Sequence, residues 1–114
     1  MHELSIATSI LKTSENEVRK INGLQVAEIY LEIGKISGIE IASLEFVWDQ
    51  CMKDTVLENA KRHIQETGGL AKCAECGMQF PIEKIFDPCP GCGSPFKEIL
   101  KGKEMKIKKL LITT

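Results

Sequence analysis

Hydrophobic residues recur at helical spacing over the first twenty residues of the chain. They lie three, four or seven positions apart, and Ser14 fills the remaining gap, which is typical of an amphipathic helix. Asn22 and Gly23 then predict the end of this helix, because glycine readily adopts the left-handed conformation of a helix cap. The stripe that we expect to be buried consists of Leu4, Ala7, Leu11, Val18 and Ile21, with Ile6 and Ile10 on its flank.

Three later segments have the pattern of strands. Residues 24–34 alternate between hydrophobic and polar positions, which predicts a half-buried strand. Residues 57–67 predict a second strand. His63 lies on the face of this strand opposite to that of Ile64, so we expect this histidine to be exposed. Residues 104–112 predict a third. The face of the first strand that we expect to be buried carries Ala27, Ile29, Leu31 and Ile33.

Between the first two strands, residues 41–52 return to helical spacing. The shared face of this second helix carries Leu44, Val47, Trp48 and Cys51. Cys51 has no second cysteine at metal-binding spacing, so we interpret it as a buried thiol that acts as a small hydrophobic residue. Two helices and about three strands predict an α+β fold whose main unit is a small mixed α/β domain.

The composition changes at residue 73. Residues 73–96 hold four of the five cysteines and all four prolines of the chain, which predicts an inserted module. We expect one domain to comprise residues 1–70 and 98–114, and the cysteine module to comprise residues 71–97.

Glycines flank this module at Gly68, Gly69 and Gly102. Their conformational freedom favours hinges at both junctions, and hinges of this kind also permit exchange of the module between two chains. We therefore expect a monomer or a homodimer, and exchange of the module is one way in which the homodimer can form.

The composition also excludes several classes of protein. A net charge of −1 and an aromatic content of 5% argue against nonspecific nucleic-acid binding, which needs a basic surplus and stacking side chains. No segment approaches the ~20 apolar residues of a membrane span, and the opening Met-His-Glu-Leu-Ser lacks the basic region of a secretory signal. We therefore expect a cytoplasmic protein whose cysteines are thiols or metal ligands.

The module contains two matched cysteine knuckles. Cys73 and Cys76 are separated by two residues, as are Cys89 and Cys92, and a glycine follows each pair. This spacing lets both thiolates of a pair bind one ion, and the glycine permits a tight turn whose backbone N–H groups donate to the sulfurs. Four thiolates form the tetrahedral site that structural zinc prefers, so the knuckles predict a zinc ribbon without an open coordination position.

Three other interpretations of the knuckles remain open. A redox Cys-x-x-Cys needs only one pair at a strand-to-helix junction. Iron also binds four thiolates, as in rubredoxins, although the neighbouring aromatic residues are few here. A zinc ribbon of a nucleic-acid-binding or transcription-associated protein predicts a basic surface. Residues 73–96 instead carry Lys84 against Glu75, Glu83 and Asp87.

The amino terminus carries a second candidate metal site. His2 places three nitrogen donors in sequence: the amine of Met1, the amide nitrogen of His2 and its imidazole. These donors favour a planar arrangement, which suits Ni(II) or Cu(II) better than Zn(II). Glu3 offers a further oxygen ligand or a hydrogen bond to the site. The alternative is that His2 is a chance residue at a frayed terminus.

The order of these features resembles the HypA family, the nickel metallochaperones of [NiFe]-hydrogenase maturation. The resemblance rests on Met1-His2-Glu3-Leu4-Ser5 before a helix, on Leu31-Glu32-Ile33-Gly34 with Ser37-Gly38, and on the paired Cys-x-x-Cys motifs. It implies Ni(II) on His2 and Zn(II) on Cys73, Cys76, Cys89 and Cys92. No histidine lies at or after Cys73, so a further nickel ligand near the zinc module, as in some relatives, has no counterpart here.

The resemblance also implies what the protein does. It implies delivery of nickel to a hydrogenase large-subunit precursor together with a HypB-type GTPase, and some relatives also serve urease maturation. Because no Ser-His-Asp set, carboxylate pair or phosphate-binding loop is visible, we expect a carrier and not an enzyme. The competing function is the zinc-ribbon nucleic-acid-binding protein described above.

Overall fold

The computed structural model describes residues 3–114, which form two helices and six strands. The elements are α1 (Glu3–Lys20), β1 (Gln25–Gly34), α2 (Ile41–Cys51), β2 (Lys61–Thr67), β3 (Gly69–Cys73), β4 (Gln79–Ile82), β5 (Lys97–Lys101) and β6 (Met105–Thr113). The strands form two three-stranded sheets in the orders β2-β1-β6 and β4-β3-β5. The predicted α+β fold is confirmed.

The first sheet is mixed. Strand β1 lies at its centre, parallel to β2 and antiparallel to β6. Helix α2 connects β1 to β2, as a parallel pair of strands requires. The core between the helices and this sheet is built around Ile10, Ile29, Leu31, Leu44 and Trp48. Neither helix in residues 3–114 combines the length and the hydrophobicity that crossing a bilayer requires.

Helix α1 buries a different part of its surface from the stripe that the sequence predicted. Its buried residues are Ile6, Ala7, Ile10, Ser14 and Val18. Leu4 and Ile21 are 56% and 54% exposed, so their predicted burial is wrong. The core contacts the helix through the flank formed by Ile6 and Ile10, whereas Leu4 lies in its first turn and Ile21 follows its last residue. Ser14 is satisfied within the core because its hydroxyl donates to the Ile10 carbonyl oxygen at 2.8 Å.

Strand β1 follows the predicted alternation except at its start. Ile29, Leu31 and Ile33 are buried, as predicted. The pairing with β6 shifts register between Val26 and Glu28, which inserts a bulge. A bulge reverses the alternation of faces. Val26 is therefore buried and Ala27 exposed, so the prediction for Ala27 is wrong.

The second strand begins later than predicted. Residues 57–59 form a turn, Ala60 follows it, and β2 starts at Lys61. Asp54 adopts a left-handed conformation with φ 62°, and the Thr55 hydroxyl accepts a hydrogen bond from the Leu57 N–H at 3.2 Å. This turn carries Leu57 into the core, where it is fully buried. A buried leucine in a turn has the same local sequence pattern as one at the start of a strand.

The second sheet is antiparallel and has its own small core. Strand β3 pairs with both β4 and β5. The core consists of Ala71, Cys73, Phe80, Ile82 and Cys89, with Ile36 and Ile99 packed against it. The sequence predicted a cysteine module here but none of these three strands. The sheet extends from Gly69 to Lys101, and the predicted division of the chain into two independent domains stays a prediction.

The two sheets meet in close backbone contact. The Gly34 N–H donates to the Glu104 carbonyl oxygen at 2.7 Å, and the Ile36 N–H donates to the Gly102 carbonyl oxygen at 2.9 Å. A Cβ atom on Gly34 would lie 1.9 Å from the Gly102 carbonyl oxygen. Only glycine therefore fits at Gly34. Ile36, two residues after the end of β1, packs its side chain against the core of the second sheet.

Candidate metal centres

The four cysteines of the module converge on one point. Their sulfur atoms all lie within 4.8 Å of one another. The Sγ atoms of Cys73 and Cys92 are 3.5 Å apart, and those of Cys76 and Cys89 are 3.6 Å apart. A disulfide would bring two sulfurs to about 2.05 Å. The four side chains are therefore free thiols that face one another, as the spacing predicted.

The two knuckles repeat the same backbone geometry. The Cys73 N–H donates to the Met78 carbonyl oxygen, and the Gly77 N–H donates back to the Cys73 carbonyl oxygen. The same pair of bonds links Cys89 with Ser94 and Gly93 in the second knuckle. Gly77 and Gly93 have φ values of 76° and 77°. Because this left-handed conformation favours glycine, each knuckle needs the glycine that follows its second cysteine.

Backbone N–H groups inside the knuckles donate to the sulfurs. The N–H groups of Glu75 and Cys76 both lie 3.4 Å from the Cys73 sulfur. They lower the pKa of the Cys73 thiol to about 6, with Cys76 the larger cause. The N–H groups of Cys92 and Gly91 lower the pKa of Cys89 in the same way. The first thiol of each pair is thus prepared to bind a metal as a thiolate.

The second thiol of each pair behaves in the opposite way. The pKa of Cys92 is raised to about 12: the Ser94 N–H lowers it, but the sulfur of Cys73, burial and the two other sulfurs together raise it more. The pKa of Cys76 is raised as well. Four adjacent thiolates repel one another, and a divalent cation at their centre removes that cost.

Zinc fits this cluster. A tetrahedral ion with Zn–S bonds near ~2.3 Å places its sulfurs about 3.8 Å apart. The pairs Cys73–Cys92 and Cys76–Cys89, at 3.5 Å and 3.6 Å, lie close to that separation, and all four sulfurs lie within 4.8 Å of one another. Cys73 and Cys89 are buried, whereas Cys76 and Cys92 are exposed. The four cysteine sulfurs supply all four ligands of a tetrahedral ion. A site whose ligands all come from the protein is typical of structural zinc.

The predicted nickel ligand His2 lies outside the described residues, as does Met1. The described residues begin at Glu3, in the first turn of α1. The Glu3 carboxylate accepts a hydrogen bond from the Glu40 N–H at 3.1 Å, and Glu40 directly precedes α2. Glu3 therefore links the start of α1 to the start of α2, a contact between residues far apart in the chain that the sequence pattern did not predict.

The His63 side chain contacts two residues of β1 that the sequence pattern did not predict. Its ring stacks on Tyr30, with centroids 4.2 Å apart, and its Nε2 atom lies 2.7 Å from a Glu28 carboxylate oxygen. This hydrogen bond lowers the pKa of Glu28. The His63 side chain is 33% exposed, so its predicted exposure holds only in part. The parallel register that pairs Tyr30 with His63 explains the difference, because it places the two rings side by side.

Cys51 is only partly buried. It packs against the main core, and its sulfur lies 4.0 Å from the Thr8 hydroxyl on α1. It does not belong to the four-sulfur cluster. The predicted burial of Cys51 holds in part, and its interpretation as a thiol without a metal stays a prediction.

Known proteins resemble this chain over nearly its full length. Residues 1–112 match the family model described as "Hydrogenase/urease nickel incorporation, metallochaperone, hypA". The hydrogenase maturation factor HypA of Parabacteroides distasonis is 45% identical over 114 residues, covering 98% of this chain and 97% of that protein. The HypA of Geobacter metallireducens is 37% identical over 110 residues, covering 96% and 97%.

Solved structures support the same fold. The solution structure of the Ni metallochaperone HypA from Helicobacter pylori matches with a TM-score of 0.73 at 21% identity, over 99% of this chain and 98% of that one. A likeness at this identity concerns the fold, whereas the full-length sequence match concerns the family. The chain whose two sheets and four-sulfur cluster are described above belongs to the HypA family.

Proposed function

We propose that this protein is a nickel metallochaperone that binds Ni(II) at its amino terminus and releases it for assembly of [NiFe]-hydrogenase or urease. The observation that carries this proposal is the family match over residues 1–112, which includes the amino-terminal His2. The function is transport of an ion, so nickel is cargo, whereas zinc stays with the protein.

The nickel site that we propose consists of the His2 imidazole, the His2 amide nitrogen and the Met1 amine. An amine with a pKa of about 7.7–8.0 gives up its proton to a metal near neutral pH. Glu3 supports such a site because its carboxylate is tied to the Glu40 N–H, which anchors the residue that follows His2. The planar nitrogen donors favour Ni(II) over Zn(II).

Release of nickel requires an acceptor that docks beside the amino terminus. A groove of about 360 Å³ lies there, lined by Glu3, Leu4, Phe46 and Val47. Phe46 is 76% exposed. Large apolar side chains that are exposed beside the proposed nickel site are suited to contact with a protein that accepts the ion. We propose the hydrogenase large-subunit precursor as this acceptor. Ligand exchange then passes the ion to stronger ligands.

The zinc site that we propose consists of Cys73, Cys76, Cys89 and Cys92. All four donors come from the protein, so no position is open for substrate or water, which supports a structural role and a carrier rather than an enzyme. We further propose a cytoplasmic location, where thiols stay reduced, and a HypB-type GTPase as the partner that assists nickel delivery. No contact described above favours the alternative of a nucleic-acid-binding ribbon.

Replacement of His2 tests the nickel site. His2→Ala should weaken Ni(II) binding by about tenfold or more while the zinc content stays at one ion per chain. An uncleaved amino-terminal tag should have nearly the same effect because it converts the Met1 amine into an amide. Isothermal titration calorimetry and elemental analysis of the untagged protein give both quantities.

The matched control is His63→Gln, which changes the only other histidine of the chain. This variant should keep the Ni(II) affinity of the unaltered protein. Unchanged affinity in His2→Ala would contradict the amino-terminal site. Unchanged affinity in the tagged form would remove the Met1 amine from it.

A further inference from the structure

The outer edge of β2 is an open site for another strand. β2 lies at the end of the first sheet and, among residues 3–114, pairs only with β1. The Thr67 carbonyl oxygen accepts the Lys35 N–H at 2.8 Å, so the backbone of Thr67 points toward β1. Because successive residues of a strand point their backbone groups to opposite sides, Arg62, Ile64 and Glu66 point theirs outward.

An acidic groove runs beside this edge. It has a volume of about 500 Å³ and lies between α2 and β2. Four carboxylates and one guanidinium line it: Glu45, Asp49, Glu58 and Glu66, with Arg62. Arg62 is already engaged, since it lies 3.3 Å from Asp49 and 3.8 Å from Glu45 and packs over the Trp48 ring. Within the described chain, neither Glu58 nor Glu66 forms an ion pair, so the groove keeps a negative surplus.

We propose that the outer edge of β2 binds an extended segment of a partner protein with lysine or arginine at alternate positions, which adds to the sheet as a fourth strand. Backbone hydrogen bonds from Arg62, Ile64 and Glu66 would hold the segment, as in other complexes formed by strand addition. Its basic side chains would enter the acidic groove. This inference goes beyond nickel delivery and does not depend on it.

Geometry and charge both specify this occupant. Side chains of an added strand alternate between the two faces of the sheet. Every second side chain would point to the α2 side, toward Glu58 and Glu66, and the others would lie on the side of His63 and Gln65. A second copy of this chain fits poorly, because pairing two β2 edges would bring two acidic grooves together. A segment without regular spacing of its basic residues would leave some of them on the wrong face.

The test uses the zinc-loaded full chain and a synthetic peptide of about eight residues that alternates lysine with valine and threonine. We expect the peptide to bind, as measured by fluorescence anisotropy, and to slow amide hydrogen exchange at Arg62, Ile64 and Glu66 in NMR spectra. Exchange at His63 and Gln65 should not change, because their N–H groups already face β1. Binding without this alternating protection would overturn strand addition.

Two peptide controls leave the protein unaltered. A peptide with glutamate in place of lysine should bind at least about tenfold more weakly, because it meets like charge. A peptide N-methylated at the residues facing the edge keeps its charge but loses its donors, and should also bind at least about tenfold more weakly. Equal binding of either control would overturn the proposal.

Protein variants locate the charge. Glu58→Gln and Glu66→Gln should each weaken binding by about threefold to fivefold at low salt, in line with a partly screened ion pair. The matched control is Glu98→Gln, which makes the same change at an exposed carboxylate on β5 in the other sheet and should leave binding unchanged. Equal effects of all three variants would show general electrostatic attraction and contradict a site at β2.

Discussion

The geometry of the two cysteine knuckles depends on residues that are close together in the chain. Each knuckle is closed by hydrogen bonds between residues no more than five positions apart, such as the Cys73 N–H to the Met78 carbonyl oxygen. Local bonds of this kind depend on spacing and on glycine, both of which are visible in the sequence. The zinc-type cluster was therefore predictable to the residue, whereas the environment of His63 was not, because Tyr30 and Glu28 reach it from another strand.

Removal of a single module cysteine should release zinc and loosen the module. Cys73→Ala leaves three sulfurs around the ion, and the folding free energy of a small zinc module comes largely from metal binding. Elemental analysis after dialysis should show less than one zinc per chain, and the module's amides should exchange faster. Full retention of zinc by a variant that lacks two of the four cysteines would contradict the site.

Cys51→Ala provides the matched control. It makes the same chemical change at a cysteine outside the cluster, packed against the main core. It should retain one zinc per chain and affect only the packing between α1 and α2. A comparable loss of zinc from Cys51→Ala would mean that metal content reports general unfolding and not the loss of a ligand.

At the scale of elements, glycines determine how closely the strands approach. The sequence suggested hinges at Gly68, Gly69 and Gly102, but two of these glycines lie in tight contacts. A Cβ atom on Gly69 would lie 2.6 Å from the Ile82 carbonyl oxygen, and one on Gly102 would lie 2.7 Å from the Gly69 Cα atom. Gly102 also has φ 111°, which only glycine readily adopts. Close packing therefore requires glycine at both positions.

The neighbouring pair Gly68 and Gly69 offers a direct comparison. Gly69→Ala should destabilise the protein by roughly 1–3 kcal/mol, because its methyl group would overlap the backbone of β4. Gly68→Ala should be neutral or stabilise it by about 0.4–1 kcal/mol, since no atom lies within 4 Å of the added carbon and the unfolded chain loses entropy. Urea denaturation of the zinc-loaded protein measures both.

A hinge at this pair predicts no difference between the two variants. If the segment moved freely, both substitutions would leave stability nearly unchanged, and neither contact would be maintained. Similar midpoints for the two variants would therefore contradict the tight junction. A larger loss in Gly68→Ala would contradict the position of the Gly68 backbone.

At the scale of the whole molecule, the two proposed metal sites are joined by a continuous series of contacts. The core that holds Cys73 and Cys89 also packs Ile36, whose N–H donates to the Gly102 carbonyl oxygen. The loop from Ile36 then leads to Glu40, whose N–H donates to Glu3 beside the amino terminus. The molecule is long, with extents of 54 × 26 × 17 Å, so coupling between its ends has to pass through such contacts.

We expect zinc to change the affinity for nickel. If this series of contacts transmits the state of the module, folded zinc-free protein should bind Ni(II) with a free energy that differs by about 1–3 kcal/mol from that of the zinc-loaded form. By linkage, nickel should change the zinc affinity by the same factor. Calorimetric titrations of both forms measure this difference in nickel affinity. Equal affinities would mean that the zinc module has a structural role only and does not influence nickel binding.

Two variants separate transmission from general damage. Ile36→Ala should reduce the coupling, because it removes the side chain that links the loop to the second core. Ile99→Ala removes a similar side chain that packs on the same core from β5 and not from the loop that leads to Glu40, so it should leave the coupling unchanged. Equal effects of the two would point to loosening of the second core as a whole.

The sequence by itself determined the features that depend on residues close together in the chain. It predicted both helices, the half-buried strand β1 and the four converging thiols, since period, caps and knuckle spacing are local properties. The donors at the amino terminus indicated Ni(II) or Cu(II), and the full-length resemblance favoured nickel on His2, which lies outside the described residues.

Only the tertiary structure decided the features that depend on distant partners. The bulge that buries Val26 arises from pairing with β6, and the contact between Glu3 and Glu40 arises from the packing of two helices. Gly23 illustrates the difference: Asn22, with φ 54°, takes the left-handed position, and Gly23 is needed because a Cβ atom there would lie 2.5 Å from Ile112. Periodicity records which residues prefer burial, but not which neighbour covers them, because that neighbour comes from another part of the chain.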